Sequence, residues 1–552
     1  MNLIKYKNHN FILHFKENLL AFSLFFLGIF HLLSQIKFGV NSFGDLLDGR
    51  LNNFFLEHFY RAFIGEEESF KNANFFHPLP NVMMLSDNHW LLGPIYTFFR
   101  FLGFNSAKSF NFWIFCGFFA NFISSYYALR KFNFSKNSSA IGAYLFTFNQ
   151  IILLKIGHVQ LNFKIFIPLT LLYSKQYFET LDFKYISYII LCVILQLLCN
   201  SYTGNFLALF VVIFFLCYLS KFKKDDFHQI FPQKFSLKIT VPILILSVFL
   251  LILYGLPYTE TKNIYNLNFP KTTGEYFELK SLFIAGSSPI WNFITNHFSL
   301  KFLEIYRENQ FFIGIGTWLA ILALIFNKKI HKNLRFFDKI VIKSILFTLF
   351  FFWLDKYLET FSFIQSSFPS FTNLRAYNRF FFVIFFAIIY LITLVISYLE
   401  TTKNSKRILY YFIVFIIVIE SQFCKILNSN FEKEQLEEVK KYKDLILKNG
   451  DKNSITLFVI NKKQGNLSDN FLRNEINAMI ASQDLGIKAI NGYSSISFFM
   501  PNLANNCQEI SKIIEYNEDS ASKILKKEFK YDRKNLLVFF DQKLCPNQFS
   551  KN

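Results

Sequence analysis

The sequence predicts a polytopic α-helical membrane protein of about eleven transmembrane helices, with the N-terminus inside and the C-terminus outside. A large first extracytoplasmic loop and a small C-terminal soluble α/β domain complete the expected fold class. Three observations predict it. Of 552 residues, 53% are hydrophobic and only 17% charged, and the apolar residues fall in long blocks, which makes the bilayer the expected solvent. The formal charge of +20 is distributed as short basic clusters between those blocks, the pattern that sets membrane topology, so nucleic acid is disfavoured as a partner. From about Leu427 the composition changes to that of a soluble domain.

The first apolar run, Asn18 to Ile36, follows Lys5, Lys7 and Lys16 and lacks a small-residue cleavage site, so it reads as an uncleaved signal anchor. The segment 37–108 is then the first outer loop. Within it Trp90 to Phe104 is apolar, but it is short and carries Gly93, Pro94 and Arg100, which fits an interfacial helix over 90–104. Further runs are Phe110 to Leu129, Ala140 to Leu154, Asn162 to Phe178, Tyr185 to Cys199, Asn205 to Ser220 and Ile239 to Leu256. After a polar outer loop come Phe311 to Phe326, Val341 to Leu354, Phe380 to Leu399 and Ile408 to Cys424. With this alternation every inner loop is basic, the richest holding Lys328, Lys329, Lys332, Arg335, Lys339 and Lys343. The short outer turns 157–161 and 201–204 have no Lys or Arg, although Lys155 and Lys164 flank the first.

Residues 1–426 therefore read as the transmembrane domain and 427–552 as an extracytoplasmic α/β domain. Phe431 to Asn449 and Leu472 to Leu485 are helix-patterned, and Ser454 to Ile460, Ala489 to Met500 and Leu536 to Asp541 are strand candidates. Of seven cysteines none forms a metal-binding spacing. Cys507 and Cys545, in the polar tail, are able to pair if that tail faces an oxidising compartment.

The chemistry gathers first in Gly44 to His58. If this stretch is helical, Asp45 and Asp48 share a face that Asn52 continues, and two close carboxylates raise the pKa of at least one, as suits a general base. Arg50, Glu57 and His58 stand in the same stretch. The ordinary alternative is a solvated turn and helix start, with Glu57 pairing Arg61 at i,i+4. Four other polar clusters fall on the same side of the predicted topology. They hold Asp87 and His89, then His158 and Gln160, then Glu308, and finally Arg375 and Arg379. Each has its plain reading: Asp87 and His89 as a helix cap, His158 as a turn residue, the arginines as snorkelling cations. Their convergence on one face points to a single outward site. Paired arginines suit a phosphate, because each guanidinium grips two oxygens.

These motifs carry a resemblance. The long acidic first loop with an interfacial helix resembles the GT-C superfamily of lipid-linked-sugar glycosyltransferases. The supporting segments are Gly44-Asp45-x-x-Asp48-x-Arg50-x-Asn52, Glu57-His58, His77-Pro78-x-Pro80, Ser86-Asp87, Gly157-His158-x-Gln160, Asn373-x-Arg375-Ala376 and Asn491-Gly492-Tyr493-Ser494. Together they are similar to uncharacterised bacterial membrane proteins near that superfamily. The resemblance implies a bacterial inner-membrane enzyme that moves a sugar from a polyprenyl-phosphate carrier, held among membrane lipid, to a glycan, lipid or protein acceptor. The first-loop acid, Asp48 or Asp45, would act as base. Arg50, Asn52, Glu57, His58, Asp87, His89, His158, Gln160, Glu308, Arg375 and Arg379 would bind substrate. The adjacent Asp-Glu pair of some branches is missing. No metal cluster is evident, and a divalent cation between the paired acids stays open. Two other functions compete: a transporter or flippase of a lipid-linked or anionic solute, and a non-catalytic membrane scaffold. Few charges sit at the centres of the apolar runs, which disfavours transport.

Overall fold

A computed structural model describes residues 17–86, 89–222, 232, 234–266, 276–286, 288–298, 309–358, 361, 374, 376–402, 405–449, 456–462, 469–494, 502–540 and 543–545. In chain order its helices begin with Leu19–Gln35 (α1), Asp48–Phe63 (α2), Gly93–Phe101 (α3), Ser106–Lys131 (α4), Lys136–Phe148 (α5) and Gln150–Leu154 (α6). They continue with Phe166–Thr180 (α7), Phe183–Cys199 (α8), Ser201–Leu219 (α9), Leu237–Tyr265 (α10), Pro289–His297 (α11), Ile315–Phe326 (α12) and Lys328–Lys332 (α13). Phe336–Leu358 (α14), Phe381–Thr401 (α15), Ser405–Gln422 (α16), Phe431–Glu434 (α17), Lys440–Asn449 (α18), Asp469–Leu485 (α19) and Ile510–Leu525 (α20) follow.

Each of the eleven apolar runs is helical over most of its length. Among the described residues five helical stretches are long and apolar enough to cross a membrane: Ser106–Lys131, Lys136–Gly157, Ser201–Leu219, Leu237–Tyr265 and Tyr377–Thr401. The chain is thus a helical protein with the composition of a membrane protein. The interfacial stretch is helical over Gly93–Phe101.

The chain divides into two compact units. One comprises Met1–Phe38, Ile114–Leu253 and Phe269–Leu427, and the other Gly39–Trp113, Tyr254–Asn268 and Asn428–Asn552. The division differs from the boundary drawn on the sequence, because the first loop belongs with the C-terminal segment.

The first unit is a helical bundle organised on α15. That helix is apolar all round and buried along almost its whole length, as a helix with no polar face must be. It packs against α5, α7, α9, α12, α14 and α16. Polar side chains close the helix ends where backbone groups lack partners. The Glu400 carboxylate accepts from Ser138 Oγ at 2.6 Å and Asn137 Nδ2 at 3.0 Å beside the start of α5. The Glu420 carboxylate accepts the first N–H groups of α12, from Ile315 at 2.9 Å and Gly316 at 3.2 Å.

The second unit is α/β. Ser42–Phe43 (β1) pairs antiparallel with Asn428–Ser429 (β2). Thr456–Lys462 (β3) is the central strand of a second sheet. Parallel partners flank it: Lys488–Ala489 (β4), Leu503–Ala504 (β5) and Leu536–Phe540 (β6), with Lys543–Leu544 (β7) antiparallel to β6. Strand β3 covers 456–460 of the expected strand and runs on to Lys462, while 454 and 455 lie outside the described residues. Of the strand expected over Ala489 to Met500, only Ala489 is in a strand among residues 489–494, and 495–500 lie outside the described residues.

Alternation along β3 sends its side chains to two cores. Leu457 and Val459 join Val439, Tyr442, Ile446 and Ala478 on one face. Phe458 and Ile460 join Ile476 and Met479 on the other, where first-loop residues Phe54, Phe55, Phe75 and Phe76 fill the space. The loop thus supplies part of the core that the C-terminal segment needs.

Candidate functional site

Within the second unit the acidic stretch does not form one helical face. Helix α2 begins at Asp48, and Asp45 precedes it. The Asp45 Oδ1 accepts from the N–H of Leu47 at 3.1 Å and of Gly49 at 3.0 Å, so this carboxylate satisfies donors that an α-helix leaves open at its start. The expectation of two carboxylates on one face is corrected by that arrangement. Asp45 orders the turn, and Asp48 occupies the first helical position.

Asp48 is half-buried. One helical turn on, Asn52 is buried and its Nδ2 donates to the Asp48 carbonyl at 2.7 Å. Its Oδ1 faces His89 Nε2 at 2.7 Å, and the Trp113 ring stands edge to face with the imidazole, centroids 5.3 Å apart. Burial pushes the His89 imidazole down to about 3, so it is neutral near pH 7 and Nε2 carries the proton toward Asn52. His89 takes a left-handed backbone, φ 53°, that few non-glycine residues adopt. In that conformation its carbonyl accepts from Leu92 and Gly93 at the start of α3, at 2.9 and 2.6 Å. Its Nδ1 is buried without a partner. Asp48, Asn52 and His89 therefore form one chain of contacts.

The other members of the stretch hold the unit together. The Arg50 guanidinium is buried, donates to Asn477 Oδ1 and lies 3.6 Å from Glu434, which also binds Arg473 and Asn477. Burial draws Arg50 down to about 10, and the neighbouring cations draw Glu434 down. Glu57 is buried too. It accepts from Tyr96 Oη at 2.6 Å and from Arg100 Nε and Nη2, each at 3.0 Å. Arg61, the expected i,i+4 partner of Glu57, stands at 3.8 Å and gives Nη1 to the Gln483 carbonyl at 2.7 Å. His58 Nε2 meets the Ser69 carbonyl at 2.9 Å, and burial lowers its pKa to about 4. Asp87 lies outside the described residues.

Within the first unit, His158 is half-buried between two short helical turns, Lys155–Gly157 and Val159–Asn162, and its N–H donates to the Lys155 carbonyl at 3.0 Å. The nearby Gln160 has a buried Oε1 with no partner. Arg379 is only 8% exposed, and its guanidinium carbon sits 4.6 Å over the Tyr202 ring, a cation–π contact in place of the expected snorkelling. Beside it Asn378 Nδ2 donates to Asn309 Oδ1 at 2.9 Å. Glu308 and Arg375 lie outside the described residues.

Among the buried ionisable groups that sequence reasoning passed over are Glu475 and Lys164. Glu475 on α19 is fully buried and accepts from Asn491 Nδ2 at 2.9 Å, the Gly492 N–H at 3.2 Å and Asn502 Nδ2 at 3.0 Å; burial nevertheless raises it to about 7. The Asn491-Gly492 pair in the sequence was the available signal. A Cβ at Gly492 would collide with the Phe76 ring, which explains the glycine. The buried Lys164 ammonium donates to the carbonyls of Leu161 and Asn162, each at 3.0 Å. Cys507 and Cys545 are disulfide-bonded across 38 residues. Among the described residues no three His, Cys, Asp or Glu side chains group as a metal site.

The profile of a protein family, Domain of unknown function (DUF6311), matches residues 48–422. The chain belongs to that family. The DUF6311 match begins at Asp48, the first residue of α2, and ends at Gln422, the last of α16, so it draws residues from both units. No curated protein matches the chain.

Proposed function

We propose that the chain is an integral membrane glycosyltransferase that moves a sugar from a polyprenyl-phosphate carrier to an extracytoplasmic hydroxyl, with Asp48 as general base. The single observation that carries the reading is the treatment of Asp48. Asp48 is half-buried at the first position of α2, on a turn held by Asp45, Asn52 and His89. A carboxylate fixed in position by its backbone is what base catalysis requires.

In the proposed reaction Asp48 takes the proton of the acceptor hydroxyl as its oxygen bonds to the anomeric carbon. The bond from that carbon to the phosphate oxygen breaks, and the polyprenyl phosphate leaves with the electron pair. The charge that develops on the phosphate calls for a cation, the role that the resemblance implies for Arg375 and Arg379. Arg50, Glu57 and His58 act at one remove, by holding α2. The disulfide in the C-terminal segment supports placing that segment outside the cytoplasm, since such bonds persist in oxidising compartments. All eleven apolar helices cross the membrane in this reading, the shorter ones within the bundle.

Mass spectrometry of glycans and lipid-linked sugars from cells with and without the protein tests the proposal. Loss of one sugar from a glycan with accumulation of its polyprenyl-phosphate donor is expected. Unchanged pools of both would contradict it.

A further inference from the structure

In the first unit residues 327–335 join α12 to α14, and the short helix α13 lies within them. Side chains fix this joint from inside. Asn327 Oδ1 accepts the Lys329 N–H at 3.0 Å, His331 Nε2 meets the Ile325 carbonyl at 3.1 Å, and Ile330 and Leu334 are buried. The outward side is cationic. Lys328, Lys329, Lys332 and Arg335 are exposed, as is Lys339 one turn into α14. Phe326 and Phe336, 77% and 49% exposed, stand at the two ends of the joint.

Little in the chain answers that charge. Asp338, the single acid between Asn327 and Lys343, is fully buried and accepts from the Arg335 N–H at 2.8 Å and from Tyr390 Oη. Among the described residues no carboxylate pairs with Lys328, Lys329, Lys332 or Lys339. On α13, Lys328 and Lys332 are i,i+4 and Lys329 and Lys332 i,i+3, so like charges are held as neighbours on one short helix. An anion between them relieves that repulsion. Setting the topology of a membrane protein calls for basic residues, but not for an ordered backbone beneath them or exposed rings beside them.

The place of the joint says which anion. Helices α12 and α14 are apolar over most of their length, so with the bundle in a bilayer the irregular backbone between them stands outside the hydrocarbon, at the level of the lipid headgroups. There Phe326 and Phe336 reach acyl chains while the ammonium groups reach phosphate. A nucleic acid or a free phosphate would satisfy the lysines and leave both rings in water.

We propose that the joint between α12 and α14 binds anionic phospholipid of the bilayer, with Lys328, Lys329 and Lys332 on the headgroup phosphate and Phe326 and Phe336 against the acyl chains. A zwitterionic headgroup carries a cation of its own, which these lysines repel, so net charge decides the choice of lipid. The site depends on the bundle lying in a membrane and not on sugar transfer.

Native mass spectrometry of the full-length protein in mild detergent tests it, by titration with phosphatidylglycerol and with phosphatidylcholine of the same acyl chains. Phosphatidylglycerol is expected to bind about fivefold more tightly or better. Combined Lys328→Gln, Lys329→Gln and Lys332→Gln, all at exposed positions, is expected to abolish the preference with elution and Tm unchanged. Combined Lys523→Gln, Lys526→Gln and Lys527→Gln, which removes the same charge from exposed positions at the end of α20, is expected to leave it intact. Equal affinity for the two lipids, a preference that survives the first variant, an equal loss in the second, or displacement of the lipid by millimolar inorganic phosphate would each overturn the assignment.

Discussion

Asp45 and Asp48 are three residues apart, yet the structure gives them different tasks. Asp45 accepts two N–H groups at the start of α2, and Asp48 begins the helix itself. The stretch was legible in the sequence as a concentration of polar residues. The division of labour was not, because it depends on where the helix starts, and an Asp before a helix competes with its backbone for hydrogen bonds. The same scale sets a pH dependence. Burial depresses His58 and His77 to about 4 and His89 to about 3, so their unfolded forms bind protons first. Their contribution is present above about pH 6.5 and is lost as pH falls toward 4. Glu475, raised to about 7, has the opposite sign: its contribution is complete below about 4.5 and is lost as pH rises through 7. Between about pH 4.5 and 7 the two effects oppose, and three histidines outweigh one carboxyl, so chemical denaturation of the purified protein should show stability falling as pH drops below about 6.5. Glu475→Gln, which removes the opposing effect, should steepen that fall. An acid limb that persists unchanged in a His58→Gln, His77→Gln, His89→Gln triple variant would remove the histidines from the account.

Among elements, the contact of α2 with α19 decides how the second unit holds together. Arg50 reaches Asn477 and Glu434, and Arg61 reaches the Gln483 carbonyl, so a helix from the first loop is tied to one from the C-terminal segment at two points. Removing one partner of a buried ion pair leaves the other uncompensated. Arg50→Ala should accordingly cost about 3 kcal/mol, at the lower end of that effect because Glu434 keeps Arg473. Sugar transfer by the remaining folded protein should change little. A variant with native stability and no transfer would return Arg50 to the substrate. The disulfide between Cys507 and Cys545 acts at the same scale. Cys545→Ser should lower stability by about 2–4 kcal/mol through the freed unfolded chain, read as a drop in Tm that reductant reproduces in the unaltered protein. An equal Tm with and without reductant would contradict it. The helices and strands of this segment were largely visible in their periodicity. Its dependence on the first loop was hidden, since Phe54, Phe55, Phe75 and Phe76 read locally as an amphipathic helix and a loop. Only packing across nearly four hundred residues of chain makes them core.

For the whole molecule, two units built from interleaved segments replace the simple order of a membrane domain followed by a tail. The apolar runs foretold the helices closely, because a stretch with no polar face has few alternatives in lipid. Burial of Arg379 against Tyr202 was not foretold, because a cation at the end of an apolar run looks the same whether it faces headgroups or an aromatic ring. The proposed orientation requires that Lys526, exposed after α20, lie outside the cytoplasm. Lys526→Cys in intact cells should react with an impermeant thiol reagent, and reaction only after the membrane is opened would reverse the topology. The most direct measurement is transfer of labelled sugar from a polyprenyl-phosphate donor by purified Asp48→Asn, compared with the unaltered protein at equal amount and equal Tm. Loss of the base predicts a fall in kcat of roughly a hundredfold or more. Transfer at the unaltered rate would contradict the role assigned to Asp48.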